Sequence, residues 1–215
     1  MSRPLFITLE GSEGVGKTSN MQFIQSLLQQ QQIDFIETRE PGGTPLGEAL
    51  REMLLGEAFK GMSSDTELML MFAARAEHVA QVIKPALAKG QWVLCDRFTD
   101  ATYAYQGGGR QLDMQRIAGL ENWVLGELRP DLTILLDAPI EVGRERAGKR
   151  SAPDRFEQER DAFFNRVRDT YLARAKAEPQ RIKVVDASLE LAAVQAQIKE
   201  ILQQYIQAAS STPAV

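Results

Sequence analysis

Five short stretches rich in apolar residues read as strands, at residues 5–9, 33–38, 92–95, 132–136 and 182–185. Each is short and holds β-branched residues, as buried parallel strands read. Between the runs the apolar positions take steps of three and four. Met21, Ile24 and Leu28 follow the first run; Leu46, Leu50, Met53 and Leu54 follow the second. Met69, Phe72, Ala76, Val79 and Ile83 predict a long helix, opened by the capping pattern Ser64-x-x-Glu67 and closed by Gly90. Residues 102–106 read as helix and Gly107 to Arg110 as a mobile turn. Ile117, Leu120, Val124 and Leu128 mark another helix, Phe163, Val167 and Tyr171 a further one, and residues 140–147 a short one. Leu191, Val194, Ile198, Ile201 and Tyr205 form the last amphipathic stretch, and residues 209–215 read as a frayed, flexible tail. Strands alternating with helices predict an α/β fold, a five-stranded parallel sheet flanked by helices, in one domain over residues 1–208.

One stretch breaks this periodicity and gives it a purpose. Gly11-Ser12-Glu13-Gly14-Val15-Gly16-Lys17-Thr18 matches G-x-x-x-x-G-K-[ST], with a strand before it and a helix after it. Glycines there let successive backbone N–H groups turn inward as an anion nest, and the helix N-terminus adds partial positive charge. Lys17 is placed to reach the β- and γ-phosphates of a nucleotide, and the Thr18 hydroxyl to help hold Mg²⁺.

Composition narrows the class. Hydrophobic residues are 44% and charged residues 25%, the balance of a globular chain. The net charge of −4 gives no overall basic field for nucleic acid. No apolar run approaches a membrane span and no N-terminal signal pattern is present, so a cytoplasmic location is expected. The single cysteine, Cys95, lies in an apolar strand and reads as an inert buried thiol. The single histidine, His78, reads as a surface or packing residue.

In a parallel sheet, ligands bind beyond the carboxyl ends of the strands. Glu10-Gly11, Arg39-Glu40, Asp96-Arg97, Asp137 and Asp186 end the five runs and are expected on one rim. Phosphoryl transfer needs positioned positive charge. Arg97 can bridge donor and acceptor phosphates, and Asp96 can bind Mg²⁺ or orient Arg97. Arg39 and Arg51 are candidate acceptor-phosphate clamps. Residues 143–155 carry Arg144, Arg146, Lys149, Arg150 and Arg155 against only Glu145 and Asp154, and read as a cationic lid that excludes water.

Four stretches together resemble the bacterial thymidylate kinase family. They are the P-loop with Glu10, Thr38-Arg39-Glu40-Pro41-Gly42-Gly43-Thr44, Cys95-Asp96-Arg97-Phe98, and Ala104-Tyr105-Gln106-Gly107-Gly108-Gly109-Arg110. Residues 129–133 and 154–157 add to the resemblance. It implies a P-loop kinase fold and transfer of the γ-phosphoryl of ATP to dTMP, giving dTDP and ADP for dTTP synthesis, with Mg²⁺, in a homodimer. It implies that Glu13 lies near the sugar and acceptor phosphate. Arg39 and Arg97 would contact the dTMP phosphate, and Pro41 and Arg51 would line the thymidine site. Thr102 and Gln106 would read the base, with Tyr105 against the deoxyribose and residues 186–188 near adenine. Some members carry a catalytic arginine within the P-loop. Here that position is Gly14, which passes the role to the lid: Arg150 and Arg146, with Arg144 next. Arg75 is the expected base reader. The family sets an aromatic residue four before it, where this chain has Met71; Phe72, three before, is the better stacker chemically.

Two other readings compete. One is a kinase for another nucleotide or a small metabolite on the same scaffold. The other is a nucleotide-binding regulator, against which the lid arginines and Asp96-Arg97 argue.

Overall fold

The computed structural model describes residues 3–147, 156 and 159–211. Five parallel strands lie in the order β2-β3-β1-β4-β5. They are β1 (Phe6–Glu10), β2 (Phe35–Arg39), β3 (Trp92–Asp96), β4 (Leu132–Asp137) and β5 (Ile182–Asp186). Each of the five apolar runs is a strand. Because all pairings are parallel, the five carboxyl ends share one edge, as the rim expectation required.

Helices cover both faces. They are α1 (Lys17–Gln30), α2 (Pro45–Leu55), α3 (Ser64–His78), α4 (Lys84–Ala88), α5 (Thr99–Thr102), α6 (Met114–Leu125), α7 (Ile140–Ala147), α8 (Asp161–Ala177) and α9 (Leu191–Ser211). The alternation along β1 shows why both faces must be covered. Ile7 and Leu9 pack with Met21, Ile24 and Leu28 of α1 and with Val194, Ile198 and Leu202 of α9. Phe6, one residue before Ile7 and so on the opposite face, packs with Val79, Ile83, Phe98 and Leu125. Each such fully buried side chain contributes roughly 1.5–3 kcal/mol by leaving water.

Several local expectations change. The cap of α3 is Ser63, whose Oγ accepts from Thr66 N at 3.2 Å. Glu67 does not cap; it is buried and bonded to Gln106 and Arg110. After α3 the chain takes a wide π-type turn over Val79–Ile83, just before Pro85, which has no N–H to donate to the helix ladder. Gly107 to Gly109 are not a mobile turn. They belong to a second wide helical turn, Tyr103–Gly109, packed on α8. A β-carbon on Gly108 would come within 2.1 Å of Thr170 Oγ1, so glycine is what permits this approach. Ala209, expected in a frayed tail, is instead helical and buried.

Candidate active site

The rim of β1 and β3 opens onto a cavity of about 260 Å³. The P-loop forms one side of it, through Glu13, Gly14, Gly16, Lys17 and Thr18. Gly16 caps α1 at φ 88° without any side-chain acceptor, leaving the first amides of the helix for an anion. Lys17 Nζ donates to Gly11 O at 3.3 Å and Ser12 O at 3.0 Å, bracing the loop from within. Burial, and then the neighbouring Arg97 charge, hold its pKa below the ordinary lysine value. Gly11, Ser12 and Val15, of the same loop, do not line this cavity, and Val15 is anchored in the core.

Arg97 follows β3 in the left-handed region, at φ 68°. A side chain there costs about 1–2 kcal/mol, so the surrounding bonds must impose it. They do so on three sides. Arg97 N donates to Leu9 O at 3.0 Å. Phe98 N donates to Glu10 Oε1 at 2.7 Å, and Cys95 Sγ donates to Arg97 O at 3.0 Å. The guanidinium is ion-paired with Glu13, lies 4.9 Å from the Tyr105 ring centroid and donates to Tyr171 Oη at 3.5 Å. Tyr171, from α8, donates in turn to Glu10 Oε2 at 2.7 Å. Burial, reinforced by the Asp100 charge, pushes the Glu10 carboxyl up to about 7. Burial likewise pushes the Cys95 thiol well above its ordinary value, which keeps it an inert core group.

Asp96, beside Arg97, lines the cavity, and its Oδ1 is buried without a hydrogen-bond partner among the described residues. The opposite wall comes from the loop after β2, from α3 and from the helix after β3. Pro41 lines it, and Arg51 Nη1 donates to Pro41 O at 2.9 Å. Arg75 is buried on this wall, with Nε on Glu40 Oε2 at 2.7 Å and Nη2 on Phe98 O at 3.2 Å. Thr102, Tyr105 and Gln106 complete it, with Gln106 Nε2 fixed on Glu67 at 2.8 Å. The P-loop therefore faces a partly apolar wall across one cavity, which Arg97 also lines.

The family model described as thymidylate kinase matches residues 9–198. A thymidylate kinase from Pseudomonas syringae pv. tomato is 59% identical over 203 residues, covering 94% of this chain and 97% of that protein. One from Pseudomonas entomophila is 60% identical over 198 residues, covering 92% and 94%. The chain belongs to the thymidylate kinase family. The solved structure of the thymidylate kinase from Ehrlichia chaffeensis superposes with a TM-score of 0.76 at 34% identity, covering 93% of this chain and 98% of that one.

Against the expectations drawn from the thymidylate kinase resemblance, the structure sorts the residues clearly. Glu13, Lys17, Thr18, Pro41, Arg51, Arg75, Asp96, Arg97, Thr102, Tyr105 and Gln106 are brought to one cavity. Arg39 is not: it is exposed and paired with Glu48 Oε2 at 2.8 Å. Phe72 is not either. Its ring is buried with Leu68, Tyr103 and Ile117, under the Arg75 guanidinium, while Met71 lines the cavity in its place. Arg146 is held at the turn after β5, donating to Ala187 O at 2.6 Å and Ser188 O at 3.3 Å. Arg144 pairs with Asp161. Arg150, with Lys149, Asp154 and Arg155, lies outside the described residues, so of the expected lid only its first turn is described. Sequence reasoning missed Leu55, Phe98, Ala101 and Phe156 on the cavity wall, and placed Glu40 on the rim without giving it a role there. Glu40, Phe98 and Phe156 had a signal, since each sits inside a stretch that carries the family resemblance; Leu55 and Ala101 had none.

Proposed function

We propose that the cavity holds dTMP end-on to the phosphates of ATP, so that the γ-phosphoryl passes to the dTMP phosphate and leaves dTDP and ADP. The dTMP kinase activity and the use of ATP follow from family membership; the residue roles rest on the geometry. The observation that carries them is the placement of Arg97 on the same wall-lined cavity as both Lys17 and Arg75. A donor cradle and an acceptor recess then share one fixed cation between them.

Lys17 and the first amides of α1 hold the donor phosphates. Arg97 spans donor and acceptor phosphates, where charge builds during transfer, and Glu13 and Tyr105 hold its guanidinium in place. Tyr105 OH donates to Glu13 at 3.2 Å, which ties the sugar side of the cavity to the same carboxylate. Arg75, Thr102 and Gln106 read the base, Met71 and Pro41 cover its faces, and Arg51 supports the Pro41 carbonyl. Arg39 joins the acceptor phosphate only if it leaves Glu48. Arg150 supplies the lid charge, with Arg146 and Arg144 bonded elsewhere. The turn at residues 186–188 borders adenine.

Mg²⁺ fits this chemistry. The orphaned Asp96 Oδ1 and the exposed Thr18 hydroxyl line one cavity, and a hard cation with few protein ligands takes its other oxygens from phosphate and water. When bound, Mg²⁺ neutralises charge on the donor phosphates.

The working unit is a homodimer, and a cytoplasmic enzyme. α3 packs against both α2 and α6, and these helices expose Leu46, Met53, Met69 and Trp123. Such an apolar surface fits a second copy of the chain. Among the described residues no helix is long and apolar enough to cross a membrane.

Product analysis tests the reaction. Incubation with ATP, Mg²⁺ and dTMP is expected to yield dTDP and ADP in equal amounts. ADP with free phosphate and unchanged dTMP would contradict it.

A further inference from the structure

His78 is the chain's only histidine and has no exposed surface. It is not simple packing. Its Nδ1 donates to Glu40 Oε1 at 2.9 Å, and its Nε2 is hydrogen-bonded to Thr38 Oγ1 at 2.6 Å. The other oxygen of Glu40 takes Arg75 Nε at 2.7 Å. Glu40 is buried, so each of its oxygens needs a partner, and each has one. A chain of bonds therefore runs from the end of β2, through the ring on α3, to the loop carboxylate and back to α3 at Arg75.

Arg75 has further partners besides this chain. Nη2 is held on Phe98 O, and the guanidinium lies 4.8 Å from the Phe72 ring centroid and 5.3 Å from that of Phe98. Only Nη1 is left over: it is buried, and no described residue accepts from it. A buried arginine nitrogen on a cavity wall calls for an acceptor from the ligand. The fit around the ring is close. A β-carbon on Gly43 would come within 2.6 Å of His78 Nε2 and 2.7 Å of Thr38 Oγ1.

We propose that Thr38, His78 and Glu40 are positioning residues that fix the rotamer of Arg75 and thereby set base specificity. This rests on the reading of Arg75 as the base reader. The logic is geometric. Without His78, Glu40 Oε1 is buried and unpaired, and the carboxylate turns to find another donor. Arg75 Nε follows it, and Nη1 loses its aim. A base bearing a carbonyl oxygen opposite Nη1 is favoured when the arginine is fixed. A base with an amino group there presents a donor to a donor and is rejected. When the arginine is free to turn away, that rejection weakens.

The test is a kinetic comparison of His78→Phe, His78→Gln, Thr38→Val and Arg75→Ala with the unmodified enzyme, using ATP with dTMP or dCMP. His78→Phe keeps a ring and loses both bonds. It is expected to raise KM for dTMP about tenfold, the size of one buried hydrogen bond. The preference for dTMP over dCMP in kcat/KM should fall by a similar factor, with KM for ATP unchanged. His78→Gln, whose amide can still donate to Glu40, should recover most of both. Thr38→Val should shift them the same way by a smaller factor, and it decides the matter if His78→Phe does not fold. Unchanged dTMP KM and discrimination in folded His78→Phe and Thr38→Val, beside a raised KM in Arg75→Ala, would overturn the positioning role alone. Unchanged values in Arg75→Ala would overturn the base-reading role and the inference with it. An equal rise in the KM for ATP would reduce His78 to a general structural residue.

Discussion

Gly14 of the P-loop and Gly143 of α7 meet backbone to backbone. A β-carbon on Gly14 would lie 1.8 Å from Gly143 O, and one on Gly143 would lie 2.5 Å from Glu13 O. This contact joins the phosphate loop to the first turn of the lid segment. It also explains why Gly14 carries no arginine: no side chain fits while α7 lies there. Gly143→Ala is therefore expected to push α7 off the loop and lower kcat about tenfold or more, which corresponds to ~1.4 kcal/mol in the transition state. Steady-state kinetics check it. An unchanged kcat would mean that the contact is not needed for transfer.

Arg97 is held in a strained backbone conformation by bonds from Leu9, Glu10 and Cys95. Strain kept in this way at a cavity wall points to the chemistry. Arg97→Ala is expected to lower kcat by roughly 10²–10³, the cost of one transition-state charge partner, while the thermal midpoint stays close to that of the unmodified enzyme. A kcat within a few-fold of the unmodified value would remove Arg97 from the transfer step.

Glu10 links stability to pH. Its carboxyl rises from 4.5 to about 7 on folding, driven by burial and then by the Asp100 charge. The folded state therefore keeps a proton that the unfolded chain releases. The resulting stabilisation is fully present below about pH 4.5 and is lost as pH rises through about 7, a change of at most about 3 kcal/mol. Glu10→Gln removes this contribution. Unfolding measured at pH 5 and pH 8 should show the unmodified chain losing stability relative to the variant at the higher pH. A difference independent of pH would contradict the shift.

Trp123 is 79% exposed on α6. In a homodimer built on α2, α3 and α6 its indole is covered. The unmodified chain should sediment near twice its 23.9 kDa, and Trp123→Glu should shift it toward the monomer. A monomer in both cases would remove the dimer.

The sequence carried the central strands because a parallel strand buried on both faces is apolar along its length, as β1, β3 and β4 are, while the edge strands β2 and β5 are only partly buried and mix in polar residues. The P-loop was legible because its glycines and lysine serve one local geometry. What sequence concealed depends on long-range packing. Spacing put both Met71 and Phe72 on the side of Arg75, and ring chemistry favoured Phe72. Tyr103 and Ile117, from other elements, cover Phe72 and leave Met71 to the cavity. Glycine at 107 to 109 reads as a turn, yet here it admits α8; Gly109 would otherwise meet the Phe163 ring at 2.4 Å. Arg39 carried a motif but no sign that Glu48, nine residues on, would hold it. His78 read as bland because its partners, Thr38 and Glu40, lie about forty residues away.

The most direct measurement is ADP release from ATP and Mg²⁺, followed by a coupled assay across dTMP, dUMP, dCMP and AMP. Release is expected with dTMP and its close analogue dUMP, with kcat/KM highest for dTMP and little release with dCMP, with AMP or without an acceptor. Faster turnover with dCMP or AMP than with dTMP, or tight nucleotide binding with no transfer to any monophosphate, would contradict a thymidylate acceptor at this cavity.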